Sequence, residues 1–139
     1  MDYKRIVAVT GLSGLFELVS SKNDGAIVKS LEDKAVKFVS NRTSNFSQLE
    51  SIEVYTTNGN INLVEIFKKI DESREKLPSE KDAAAIKKYF QKILPDLDYE
   101  RVYASDMKKM VKWYVILKNN NVDIRLNEDQ EIEVEKNEA

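Results

Sequence analysis

The sequence predicts an α+β fold: a small N-terminal β-domain over residues 1–58, either an SH3-like barrel or a bent antiparallel sheet, and a compact three-helix part over residues 59–120. Short apolar runs rich in β-branched residues, separated by turn residues, fill the first part. From Asn62 onward the apolar residues recur at helical spacing. Charge divides along similar lines. Residues 1–60 carry seven Lys/Arg and seven Asp/Glu, residues 61–126 fourteen against eleven, and residues 127–139 one against six. The net charge of −2 therefore belongs to the end of the chain. Residues 121–139 read as an acidic tail, with a weak hairpin through Val122, Ile124, Leu126, Ile132 and Val134 as the alternative.

Within the β-domain, Ile6–Val9 is a first short strand. Leu15–Ser20 and Ala26–Leu31 flank Lys22-Asn23-Asp24-Gly25, where Asp-Gly predicts a tight hairpin turn with positive φ. Ala35–Ser40 follows a second break. Ile52–Thr57, rich in β-branched and aromatic residues, is the fifth strand expected here. Gly11-Leu12-Ser13-Gly14 lacks the Gly-Lys-Ser/Thr end of a phosphate loop and the glycine spacing of a nucleophile elbow. A nucleic-acid-clamping GxxG loop joins two helices, whereas a β pattern follows here. The loop is expected to be a tight strand connection that needs glycine conformations.

Asn62 is placed to cap the first helix, with Glu65 as its capping-box partner and Leu63, Ile66, Phe67 and Ile70 as its apolar stripe. Ser79 is the expected cap of the second, whose stripe is Ile86, Tyr89, Phe90, Ile93 and Leu94 and which Pro95 ends. The third is expected to start at Ser105-Asp106. It lies in Leu94–Leu117, a stretch that holds the only tryptophan and reads as the hub for the other elements. Met107, Met110, Val111, Tyr114 and Leu117 share one face, widened by Trp113. Full burial of Trp113 would remove ~200 Å² from water, an upper bound of roughly 5 kcal/mol.

Composition narrows the chemistry. The 139 residues include no cysteine and no histidine. Thiolate nucleophiles, disulfides, Cys/His zinc sites and imidazole-dependent triads are thereby excluded. Asp96-Leu97-Asp98-Tyr99-Glu100 imitates a calcium loop, but Arg101 and Met107 stand where that loop needs glycine and glutamate. An apolar fraction of 42% and a charged fraction of 33% suit a soluble globular chain. No apolar run approaches the ~20 residues that cross a bilayer, and Ile6–Val9 is short for a signal peptide. A cytoplasmic protein with no membrane partner, cofactor or small-molecule substrate is expected.

Phe16, Lys37, Arg42, Phe46 and Tyr55 offer a binding face, against which Phe16, Phe38 and Tyr55 can instead be core, the reading preferred for the phenylalanines; Arg42 sits in the polar loop Ser40–Ser44. Lys108, Lys109, Lys112 and Lys118 fall on or near the helix face opposite the apolar stripe, with Arg101 just upstream. Cations on a helix are ordinary solvated residues, and cations beside exposed aromatics also bind anionic partners. The candidate partner surface is Arg42, Tyr55, Arg101, Lys108, Lys109 and Lys112.

Arg101-Val102-Tyr103-x-Ser105-Asp106-x-Lys108-Lys109-x-x-x-Trp113-Tyr114 resembles the C-terminal signature of an uncharacterised bacterial family. Its members pair an N-terminal domain of unknown function with a helical one and often end in an acidic tail. Gly14-Leu15-Phe16-x-Leu18-Val19, Ser40-Asn41-Arg42, Val54-Tyr55-Thr56-Thr57 and Leu94-Pro95-x-x-Asp98 resemble its other motifs. The resemblance covers nearly the whole chain and implies a small bacterial cytoplasmic protein. It implies no activity and assigns no functional residue. The function expected from the residues is a non-catalytic interaction module binding RNA or another anionic partner. A protein–protein adaptor without nucleic-acid affinity is the alternative, and a carboxylate/magnesium enzyme the third.

Overall fold

The structure, a computed structural model, describes residues 2–125. In chain order it contains β1 (Ile6–Val9), β2 (Phe16–Lys22), β3 (Gly25–Ser30), β4 (Val36–Ser40), β5 (Phe46–Gln48), β6 (Glu53–Thr56), β7 (Gly59–Asn62), α1 (Leu63–Glu72), α2 (Ala83–Ile93) and α3 (Ala104–Asn119). The α+β class holds.

The first five strands form an antiparallel sheet in the order β4-β3-β2-β1-β5. β4 and β5 are its edges and, among the described residues, do not pair, so the barrel is not closed and the sheet is the open alternative. A bulge between Leu18 and Ser20 in β2 bends it. Val7, Val9, Phe16, Ala26, Val28 and Val39 bury against one another on one face, with Leu18 and Phe46 packed on them. That cluster is made of strand residues alone, as a sheet curled over its own apolar face requires.

Two strands had no clear signal. β5 is three residues long, and β7, Gly-Asn-Ile-Asn, has one apolar residue. Ile52–Thr57 does not join the N-terminal sheet. Its β6 forms a two-stranded ladder with β7, around a tight turn after Thr56, whose hydroxyl donates to the Gly59 carbonyl and accepts the Asn58 N–H. Closing so short a loop costs little conformational entropy, which favours the local hairpin over a distant edge.

The β2–β3 hairpin sits where expected, with Lys22 opposite Gly25, but its turn differs. Among described non-glycine residues only Lys34 and Asn121 have positive φ, and Gly25 is not left-handed either, so the turn is not a primed one. Gly25 is required by space. A Cβ there would lie 2.1 Å from the Val39 carbonyl oxygen and 2.8 Å from Phe38 Cζ. Gly11 and Gly14 do adopt left-handed φ, 85° and 82°, as the tight-connection reading of that loop requires.

Asn62 caps α1: its side chain accepts the Val64 N–H at 2.9 Å and donates to the Glu50 carbonyl at 2.7 Å. Glu65 turns to Lys68 (3.5 Å) instead of reaching back. Asp82, not Ser79, caps α2 by accepting the Ala85 N–H at 3.1 Å, while Ser79 closes a turn upstream. α3 starts one residue before Ser105. Asp106 reaches back to accept the Tyr103 N–H at 3.0 Å, which fixes Tyr103 in the cap position.

One core spans both parts. Leu63, Ile66, Phe67, Ile86, Phe90, Met107 and Leu117 from the helices meet Tyr3, Ile6, Leu15, Leu31 and Leu49 from the N-terminal part. Polar ties add to it: the Lys34 ammonium donates to the Asn120 side chain, and Lys112 Nζ donates to Ser13 Oγ at 2.7 Å. Two aromatic expectations are corrected. Trp113 is only partly buried, packed at the margin of this core, and Phe38 is 50% exposed because β4 is an edge strand. Val122 is buried and Asp123 bridges to Asp2. The remainder of the expected tail or hairpin, from Leu126, lies outside the described residues.

Candidate functional site

The connector between α2 and α3 runs along β6. Leu97 bridges Thr56, the Thr57 N–H donates to the Asp96 carbonyl at 2.8 Å, and the Asp98 N–H donates to the Tyr55 carbonyl at 3.0 Å. Tyr99 anchors the same segment through its hydroxyl, which donates to the Leu94 carbonyl at 2.9 Å. Burial pushes that hydroxyl's pKa up to about 12.

Pinned this way, the connector sets the Arg101 guanidinium over the exposed Tyr55 ring, 4.2 Å from its centroid. A cation over an aromatic face is attracted by the ring quadrupole. Asp98 holds the guanidinium from the side, Nε to Oδ2 at 2.8 Å. That bond, reinforced by the Glu100 N–H, keeps the Asp98 carboxyl below its ordinary pKa. Among the described residues, the terminal nitrogens of Arg101 take no hydrogen bond or ion pair.

Between β6 and α3 lies a cleft of about 270 Å³, walled by Val54, Tyr55, Arg101, Lys109, Met110 and Trp113, with Glu53 and Asp106 also on its lining. Asp106 is engaged with the Tyr103 N–H. The volume suits a single ring or side chain. Two cations, an exposed tyrosine and a half-buried tryptophan can hold a planar or anionic end group.

Three of the six candidate residues, Tyr55, Arg101 and Lys109, therefore come together. The others do not join them. Arg42 lies in the turn after β4, its N–H on Ser40 Oγ at 3.1 Å. Lys112 is turned to Ser13, and Lys108 is exposed and does not line the cleft. Lys118, expected with the other lysines, lies on a different side of α3, 3.3 Å from Asp71. Asp71 also accepts the Tyr114 hydroxyl, whose pKa burial and this carboxylate both raise.

Trp113 is the site residue that sequence reasoning missed, because a lone tryptophan on an apolar stripe reads as core. Its position four residues after Lys109, on the same helix flank, was the available signal. Larger hollows lie elsewhere: about 600 Å³ at the mouth of the curled sheet beside Leu18 and Phe46, and about 880 Å³ between Leu31, Pro78 and Ile116. Of the candidate residues only Lys112 lines the second of them. Among the described residues, no three acidic side chains converge as a metal site would require, and no helix is long and apolar enough to cross a membrane.

Residues 4–49 match the family described as Domain of unknown function (DUF5606), and residues 52–117 match Domain of unknown function (DUF6852). The two matched stretches meet at the short 3₁₀ turn Leu49–Ser51, just ahead of β6. A solution NMR structure from Bacteroides vulgatus, a Northeast Structural Genomics Consortium target, is 30% identical, with a TM-score of 0.63 over 88% of this chain and 92% of that one. Comparison with curated proteins finds no match.

Proposed function

The chain belongs to the bacterial family that joins these two domains of unknown function, and from that premise we propose that it is a non-catalytic interaction module that binds single-stranded RNA through the β6–α3 cleft. The observation that carries the proposal is the Arg101 guanidinium over the Tyr55 ring in a cleft that Lys109 and Trp113 also line. Bases stack on aromatic and guanidinium planes, and phosphates pair with the cations left free. The cleft takes one base, and Arg101 and Lys109 take the adjoining phosphates. We place the protein in the cytoplasm.

Trp113 is the only tryptophan and reports on the cleft directly. Titration with a mixed-sequence RNA oligomer at low salt is expected to quench its fluorescence. Log affinity should fall with log salt at a slope of about −0.7 for each neutralised phosphate. Arg101→Ala and Lys109→Ala should each weaken binding and flatten that slope. An unchanged spectrum and no gel shift at low salt would remove the RNA proposal. A partner captured equally with and without nuclease would then favour the adaptor alternative.

A further inference from the structure

β4 presents a second surface, separate from the cleft. Among the described residues it pairs with β3 on one side only, Val28 opposite Lys37 and Ala26 opposite Val39. The Ser30 N–H donates to the Ala35 carbonyl and the Asn41 N–H to the Asp24 carbonyl. Antiparallel ladders alternate, so residues 35, 37, 39 and 41 turn their backbone groups to β3, while Val36 and Phe38 turn theirs to the open edge. The Ser40 carbonyl faces the same way and is already taken by the Ser44 N–H at 3.2 Å.

The two residues with open backbone groups also carry the exposed apolar side chains, Val36 at 60% and Phe38 at 50%. Lys37 stands between them on the other face, 5.5 Å from the Phe16 ring. Residues 34–42 hold Lys34, Lys37 and Arg42 and no acid. Asp33, just before them, accepts the Ala35 N–H at 2.9 Å and feels the Lys37 charge, which helps to lower its pKa, but among the described residues no carboxylate lies within ion-pair distance of Lys37. Edge strands are commonly guarded by a single lysine. That charge disfavours a second copy here, because antiparallel pairing of β4 with itself that matches Val36 to Phe38 sets Lys37 against Lys37. It favours an acid.

We propose that the β4 edge accepts, by strand addition, an extended segment of a partner protein with the order acidic–apolar–acidic–apolar–acidic. The two apolar residues pack beside Val36 and Phe38, the central acid lies opposite Lys37, and the backbone groups of Val36 and Phe38 supply the ladder bonds.

The test uses the full chain and two capped peptides, Ser-Glu-Ile-Glu-Val-Glu-Ser and its lysine counterpart Ser-Lys-Ile-Lys-Val-Lys-Ser. The acidic peptide should shift the amides of Val36–Ser40 in NMR spectra, slow hydrogen exchange at Val36 and Phe38, and leave Trp113 fluorescence unchanged. Lys37→Glu, at an exposed position, should weaken the acidic peptide by about tenfold and admit the basic one, since opposite and like charges directly across a ladder differ by about 1–2 kcal/mol. Lys37→Gln should weaken the acidic peptide without admitting the basic one. Shifts elsewhere, or affinities indifferent to Lys37, would overturn the proposal. So would RNA that shifts β4 while neither peptide does, which would give the face to nucleic acid. The chain's own Glu131-Ile132-Glu133-Val134-Glu135 has the same order of residues. If changing those three glutamates to glutamine makes the full chain bind the added peptide more tightly, the occupant is this segment and the assignment to a partner protein falls.

Discussion

Replacing Gly25 by alanine separates two reasons for a glycine in a hairpin. If the position needed positive φ, asparagine would be a fair substitute and alanine a poor one. The observed backbone is not left-handed there, and the obstacle is steric: the new Cβ would sit 2.1 Å from the Val39 carbonyl oxygen, 2.8 Å from Phe38 Cζ and 3.0 Å from Ser40 Cα. Phe38 can swing aside because it is half exposed, but two of the three obstacles are backbone. β4 must therefore withdraw by roughly 1 Å at this end of the ladder. Overpacking of this kind costs about 1–3 kcal/mol, and each ladder bond stretched or lost adds about 0.5–1.5 kcal/mol. Reduced unfolded-state entropy returns about 0.4–1 kcal/mol. The net expectation is a loss of about 2–3 kcal/mol for Gly25→Ala, and no less for Gly25→Asn. Circular-dichroism melts should show a drop on the order of 10 °C for a domain of this size. Gly11 is the control, because it is left-handed (φ 85°) with nothing within 4 Å of a built Cβ. Gly11→Asn should be nearly neutral and Gly11→Ala should cost about 1 kcal/mol. A Gly25→Ala protein that melts as high as the wild type, or a Gly25→Asn protein clearly more stable than Gly25→Ala, would refute the close-approach explanation.

Two other expectations concern the helical part. Phe90 is fully buried whereas Trp113 lines a cleft, so Phe90→Ala should cost about 3–5 kcal/mol and Trp113→Ala less, despite its larger ring. Urea unfolding of the two variants ranks them, and the reverse order would move Trp113 back into the core. Alkali should destabilise the fold through the tyrosines. Tyr3, Tyr99 and Tyr114 all have pKa values raised in the folded state, chiefly by burial, with Tyr99 at about 12. Their unfolded values are near 10, so the folded state binds more protons above that pH. Their contribution is intact below pH about 10 and is lost as pH rises towards 12 and beyond. Stability measured by urea midpoint should be flat from pH 8 to about 9.5 and then fall. A flat profile through pH 11 would contradict these burials.

Elements whose signals are local are legible in the order of residues alone. The helices followed from stripes such as Leu63, Ile66, Phe67 and Ile70, and the Asn62 cap was legible because capping depends on a side chain and the next few N–H groups. Four strands of the N-terminal sheet and the left-handed loop at Gly11 and Gly14 were legible for the same reason. The choice of Asp82 over Ser79, and of Asp106 reaching back to Tyr103, turned on competition between neighbouring capping residues of similar propensity.

What tertiary structure decided was pairing and exposure. Whether Ile52–Thr57 joins the first sheet or folds onto Gly59–Asn62 depends on which ladder closes at lower entropic cost, and composition does not encode that. Phe38 and Trp113 carry apolar side chains that signal a preference for burial, while an edge strand or a cleft settles the outcome. The cations divided for the same reason. Lys108, Lys109 and Lys112 are near neighbours on one helix, yet Lys109 meets Arg101 and Tyr55 at the cleft, Lys112 meets Ser13 of the β1–β2 loop, and Lys108 meets neither. A helix turns about 100° per residue, so adjacent charges face different neighbours, and only the packing of α3 between β6 and the curled sheet says which.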